Sequence, residues 1–389
     1  MSDRRAVDLD AAGGVAPSGA VSAAVAEASR LWAFETGVHD AAARAGEAVE
    51  AARADVAALI GAEPEDVLFT SSPAESRVTA VRGLLEASPG LGTHAVASAL
   101  EHPVVTWTLR RRETDGHPWT GCPVGEDGRL EPAAVAGTMR DDTALVCVYH
   151  GQEDVGAVND VAAVVAAVRA RRGDARVHVD ACATAGLLPV DVTAMDADAV
   201  SLGGPALGCP GGVAALWVRP GARMVPLVGG TLQQTGRRAG SLNVPVVVGM
   251  GVAAREARAG MAADAARRTA LAGRLWAGLD ALGAVRLNGP PVGERVPGNV
   301  QASVGGVLGE TLAVTLAAHG VAVSPGSACS ALAGKASPVL EAIGVEAPWS
   351  LGSVLFTVGP RTTAGDVDEA LARIGEVVRA LRAQSLAGP

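Results

Sequence analysis

Four residues carry groups from which chemistry could be built. Cys329 sits in the small-residue run Gly326-Ser327-Ala328-Cys329-Ser330. A cysteine reacts as its thiolate, which nearby cations or backbone dipoles must favour. Lys335, six residues on, is the one evident cation near it. It is also the only lysine among the 32 basic residues of this 389-residue chain, so any reaction that needs a lysine amine must use it. Asp180, in His178-Val179-Asp180-Ala181, and His102, in Glu101-His102, are polar groups that a ligand could engage. Each also has a plain structural reading, as a hydrogen-bonded aspartate at a strand end and as a packed histidine.

The elements that must position these groups alternate along the chain. Val49, Ala52, Val56, Leu59 and Ile60 recur at helical spacing, with Gly61 placed to end the helix. Residues 67–70 read as a strand, followed by a Ser72 N-cap, Pro73 at the first helical position and Glu75 three residues beyond the cap. Further strands are expected over 95–99, 144–149, 176–179, 197–201 and 213–218, and helices over 104–112 and 160–172. This order predicts an α/β fold, with helices flanking a mostly parallel sheet and functional residues just past the strand C-termini. Glu101, His150, Asp180 and Ser201 fall at such ends. From about Asn288 the pattern suggests a smaller α+β unit. The expected division is an N-terminal segment over 1–20, a large α/β domain over 21–260 and a small domain over 261–389 that carries the Cys329 loop.

Composition narrows the function. With 49% hydrophobic and 19% charged residues the chain can build a core, and disorder is excluded. A formal net charge of -9 disfavours nucleic acid and anionic membrane surfaces as partners. Arg4 and Arg5 are followed by Asp8 and Asp10 rather than by an apolar run, so no secretory signal is expected and a cytoplasmic protein is. Cys122, Cys147, Cys182, Cys209 and Cys329 are odd in number and widely spaced, which argues for reduced thiols and against a structural zinc site. No metal is expected.

Several motifs together have a known counterpart. Phe69-Thr70-Ser71 with Glu75-Ser76, Glu101-His102, Asp141-Asp142-Thr143, His178-Val179-Asp180-Ala181, Gly240-Ser241-Leu242-Asn243 and the Cys329 run resemble, in order and spacing, those of cysteine desulfurases. The resemblance runs from about Val7 to about Leu381. It implies the class V aminotransferase fold, that is, fold type I of transferases dependent on pyridoxal phosphate (PLP), with a seven-stranded type of sheet. It also implies a homodimer, and it gives Asp180, His102 and Cys329 the roles of pyridinium partner, ring-stacking group and sulfur-carrying nucleophile.

The same resemblance marks departures. In the segment that should hold the PLP lysine, running from Ser201 to Val213, Ala206 takes the lysine position and Pro205 that of the preceding histidine. The phosphate cup reads Ser72-Pro73-Ala74, the ring-edge segment Gln152-Glu153-Asp154, and Ala183 replaces a glutamine. The histidine expected after a Gly-Gly run is missing from Thr231-Leu232-Gln233-Gln234, and Leu355 replaces the arginine that clamps the substrate carboxylate. No cofactor is therefore expected, or PLP only if bound noncovalently. The leading expectation is a PLP-independent sulfur acceptor or carrier acting through Cys329, or a silent partner subunit of an active desulfurase, as homodimer or heterodimer. Alternatives are a regulatory pseudoenzyme, an enzyme with a repurposed pocket using Glu153, Asp154, His102 or His150, and residual desulfurase activity. Cys209 could share redox or sulfur-transfer work with Cys329.

Overall fold

The computed structural model describes residues 6–88, 90–325 and 337–386. The chain opens with a short strand β1 (Val7–Asp8) and helices α1 (Gly19–Ala28) and α2 (Asp40–Ile60). Gly61, at φ 68°, ends α2 in the left-handed conformation that glycine adopts without strain. A βα alternation follows: β2 (Val67–Thr70), α3 (Pro73–Glu86), β3 (His94–Ser98), α4 (Pro103–Glu113), β4 (Trp119–Cys122), α5 (Pro132–Thr138), β5 (Thr143–Tyr149), α6 (Val161–Arg171), β6 (Arg176–Asp180), α7 (Val192–Met195), β7 (Ala199–Gly203) and β8 (Ala214–Val218).

Strands β2 to β8 form one seven-stranded sheet in the order β2-β8-β7-β6-β5-β3-β4. Only β8 runs against its neighbours β2 and β7, so the sheet is mostly parallel, as the alternation of elements predicts. Its two faces are buried by different helices. Val146, Val148, Val177, Val179, Val200 and Leu202 pack with α2 and α6, whereas Leu145, Cys147, Ala199 and Leu216 pack with α3 and α4. This period-two division of continuous apolar runs is what a strand covered on both faces requires.

A single helix α8 (Val244–Asp280) leaves the sheet and continues into a second apolar cluster. Its early residues Val244, Val247 and Met250 belong to the sheet core, and Ala272, Leu275 and Leu279 to the other cluster. There, β9 (Val285–Leu287), β10 (Asn299–Val304) and β12 (Ser353–Thr357) make an antiparallel sheet in the order β12-β10-β9. Helices α9 (Gly309–Ala318), α10 (Pro338–Ala342) and α11 (Ala364–Leu386) accompany it, and β11 (Val321–Ala322) pairs in parallel with β1. No helix among the described residues is long and apolar enough to cross a membrane.

Candidate functional site

The C-terminal ends of β3, β5, β6 and β7 share one edge of the sheet, and the start of α3 faces them from the end of β2. Local sequence fixes α3 there. Ser72 Oγ accepts from Glu75 N–H (3.2 Å), and Glu75 in turn accepts from the N–H of Ser71, the residue before the cap (2.8 Å), so the helix start is held from both sides. Ser76 lies 2.7 Å from Thr70 Oγ1 and donates to the Ala215 carbonyl (3.0 Å), pinning the first turn to β2 and β8. Glu75 is held in turn by Arg238 (3.0 Å). At the end of β7, Gly203 and Gly204 are required by close approach, since an added Cβ would lie 2.8 Å from the Cys182 carbonyl oxygen and 2.5 Å from that of Val213.

One helical position past Ser76, Arg77 reaches across the strand ends. Its Nε donates to Asp180 Oδ2 at 2.5 Å, and both side chains are only 6% exposed. The Cys182 backbone N–H donates to the other carboxylate oxygen (3.0 Å). Burial pushes the Asp180 carboxyl up, but the charge and hydrogen bond of Arg77 outweigh it, and Asp180 stays below the usual carboxylate range. The same pairing outweighs the effect of burial on Arg77 and strengthens its hold on its proton. Nothing in the sequence reading singled out Arg77. The available signal was its place among the buried residues Ser76, Arg77, Ala80, Val81 and Leu84, which puts a cation on the apolar face of α3.

Glu101 and Glu153 act on this pair, and Asp154 lies next to Glu153. Glu101 is buried, and both its carboxyl oxygens lack a hydrogen-bond partner. Burial, aided by the charge of Asp180, pushes it up to about 8, so at neutral pH it is mainly the uncharged acid. His102 caps α4, its Nδ1 accepting from Val104 N–H (3.1 Å), and its Nε2 faces Glu153 Oε1 at 3.6 Å. Burial and then Arg77 lower the His102 pKa against the opposing pull of Glu153 and Asp180. Burial, with a contribution from Glu153, raises Asp154 to about 7.

Other residues named from the sequence are brought elsewhere. His150 Nδ1 is 2.8 Å from Thr184 Oγ1 in a buried position that lowers its pKa to about 4. Gln152 turns inward and accepts from the N–H groups of Asp154 (2.7 Å) and Val155 (2.8 Å). Leu355 lies buried in β12 opposite Gln301. Ala206 occupies the short turn Pro205–Leu207 and lines a cavity of about 350 Å³ shared with residues 15–19 and α8. Arg77, His102, Glu153 and Asp180 do not line that cavity. Cys209 donates its thiol to the Val246 carbonyl (3.3 Å), and burial pushes it up to about 12, so it is placed as a core thiol and not as a nucleophile. Cys329 and Lys335 lie outside the described residues. Among the described residues no cluster of His, Cys, Asp or Glu is arranged to hold a metal.

Comparison with known proteins agrees with the architecture. The aminotransferase class-V family model matches residues 9–369. Cysteine desulfurase IscS of Anaeromyxobacter dehalogenans (strain 2CP-C) is 40% identical over 345 residues, covering 88% of this chain and 84% of that protein. IscS of Aeromonas hydrophila is 37% identical over 344 residues with the same shares covered. Among solved structures, a NifS-like protein superposes with a TM-score of 0.91 at 25% identity, covering 96% of this chain and all (100%) of that one. DndA from Streptomyces lividans superposes with a TM-score of 0.75 at 29% identity, covering 90% of this chain and 98% of that one. The mostly parallel seven-stranded sheet flanked by helices, with polar residues at its strand ends, is the fold of the type I PLP-dependent transferases. The chain belongs to the class-V aminotransferases, in the cysteine desulfurase family.

The residues at the strand ends fit PLP poorly. A pyridinium nitrogen needs a carboxylate partner, and Asp180 already has a buried cation on it. A phosphate at the start of α3 would find no N–H on Pro73, and that of Glu75 is already bonded.

Proposed function

We propose that this protein handles sulfur without PLP, accepting it at Cys329 from the persulfide of an active cysteine desulfurase and passing it on. The observation that supports PLP independence most directly is the end of β7, where residues 203–210 contain no lysine and the turn presents Ala206. No amine there can form a covalent link to an aldehyde cofactor. The retained cysteine run supports the sulfur role. In the exchange, the Cys329 thiolate attacks the terminal sulfur of the donor persulfide, a new S–S bond forms, the donor's S–S bond breaks, and the donor cysteine leaves as a thiolate. No external oxidant or reductant is consumed.

The partner in this reading is a second copy of the chain or a lysine-bearing relative. Exposed Trp32, Val38 and Leu232 support such a surface, and the hydrogen bond from Gln233 to Glu35 (3.3 Å) ties the two segments together. The test is intact-mass analysis after incubation with a working desulfurase and cysteine. The reading expects one added sulfur per chain, absent in Cys329→Ala. An unchanged mass in the wild-type chain sinks it.

A further inference from the structure

We propose that Arg77 is the residue that sets the selectivity of the site against pyridine cofactors, acting as a resident counter-ion that a pyridinium ring would have to displace. The inference rests on the PLP-independent reading but adds to it. Loss of the lysine removes only the covalent link, whereas Arg77 opposes the ring itself.

The argument is one of charge and burial. Asp180 is the last residue of β6 and offers two carboxylate oxygens, one taken by Cys182 N–H and the other by Arg77 Nε. A ring nitrogen arriving at Asp180 must either share that carboxylate with a guanidinium or push it away. Sharing places two cations side by side in a buried setting. Displacement leaves Arg77 buried without its partner, and breaking a buried pair by removing one member is strongly destabilising. The guanidinium cannot escape by losing its proton, because arginine stays charged in proteins. Reintroducing a lysine at position 206 would therefore not by itself restore cofactor binding.

The test measures PLP binding by absorbance titration and by the shift in thermal unfolding, using the full chain. Wild-type and Ala206→Lys are expected to show no saturable binding over the range titrated. Arg77→Asn is expected to bind at least about a hundredfold more tightly, equivalent to about 2.8 kcal/mol at 1.4 kcal/mol per decade. Arg77→Gln keeps an amide donor for Asp180, so it provides a folded neutral variant if Arg77→Asn is unstable, and it should also gain affinity. Adding Asp180→Asn to either variant should remove the gain. The proposal is overturned if neither neutral variant binds PLP more tightly than wild type, or if the gain survives Asp180→Asn. Sulfur loading of Cys329 is read separately by mass, so failure here leaves the carrier reading intact, and the reverse also holds.

Discussion

The central sheet buries an aspartate at each edge, and the two are furnished differently. At the N-terminal edge, Asp198 is closed on every side: Arg176 donates to one oxygen (2.9 Å), and Arg169 (2.8 Å) and the Val177 N–H (2.8 Å) to the other. At the C-terminal edge, Asp180 holds Arg77, but both oxygens of Glu101 and the Nδ1 of His178 are left without partners nearby. The contrast is one of counter-charge: Asp198 is shared by two arginines and a backbone N–H, although the Arg176 Nε is itself unpartnered, whereas Asp180 has one arginine and one backbone N–H beside the unpartnered acid Glu101.

The largest effect should come from the C-terminal edge. Arg77→Met leaves Asp180 buried without a cation and should cost about 3–5 kcal/mol, read as a lower urea midpoint. Adding Asp180→Asn should recover part of the loss; a double variant as unstable as the sum of the singles would remove the case for a coupled pair. Asp198→Asn should cost less, about 1–3 kcal/mol, because Arg169 and Arg176 are 21% and 30% exposed and remain hydrated. A loss greater than that of Arg77→Met would reverse the comparison.

A third effect is on pH dependence. Glu101 rises from 4.5 to about 8 on folding, so the folded state holds its proton more tightly and stability falls as pH rises across that interval. The slope is at most about 1.4 kcal/mol per pH unit for one group. Glu101→Gln should flatten the decline between pH 6 and pH 8, on the order of that slope. Burial moves His150 and His178 from 6.5 to about 4, so their contribution is lost as pH falls through that range. Glu101→Gln should also steepen the acid arm between pH 4.5 and 6.5, where the opposing slope of Glu101 is removed, and leave it unchanged below pH 4.5.

Much of this architecture is legible in the sequence because its signals are local. The Ser72-Pro73-Glu75 cap, Gly61 and the apolar run ending at Tyr149 each fix an element through chain neighbours alone, and the structure places α3, the end of α2 and β5 there. The exposed strand β4 and the 37-residue α8 are less legible. Trp119–Cys122 is only partly buried, and α8 serves two apolar clusters with different faces, which blurs a single stripe. At the site, Asp180 and His102 could be named from motif spacing. Arg77 could not be paired with Asp180, because their contact spans 103 residues and depends on how α3 crosses the strand ends.

The most direct test of PLP independence is an absorbance titration of the purified wild-type chain with PLP. The account predicts only the spectrum of free cofactor, without saturable binding, even at high protein concentration. A saturable aldimine band on the wild-type protein would contradict it.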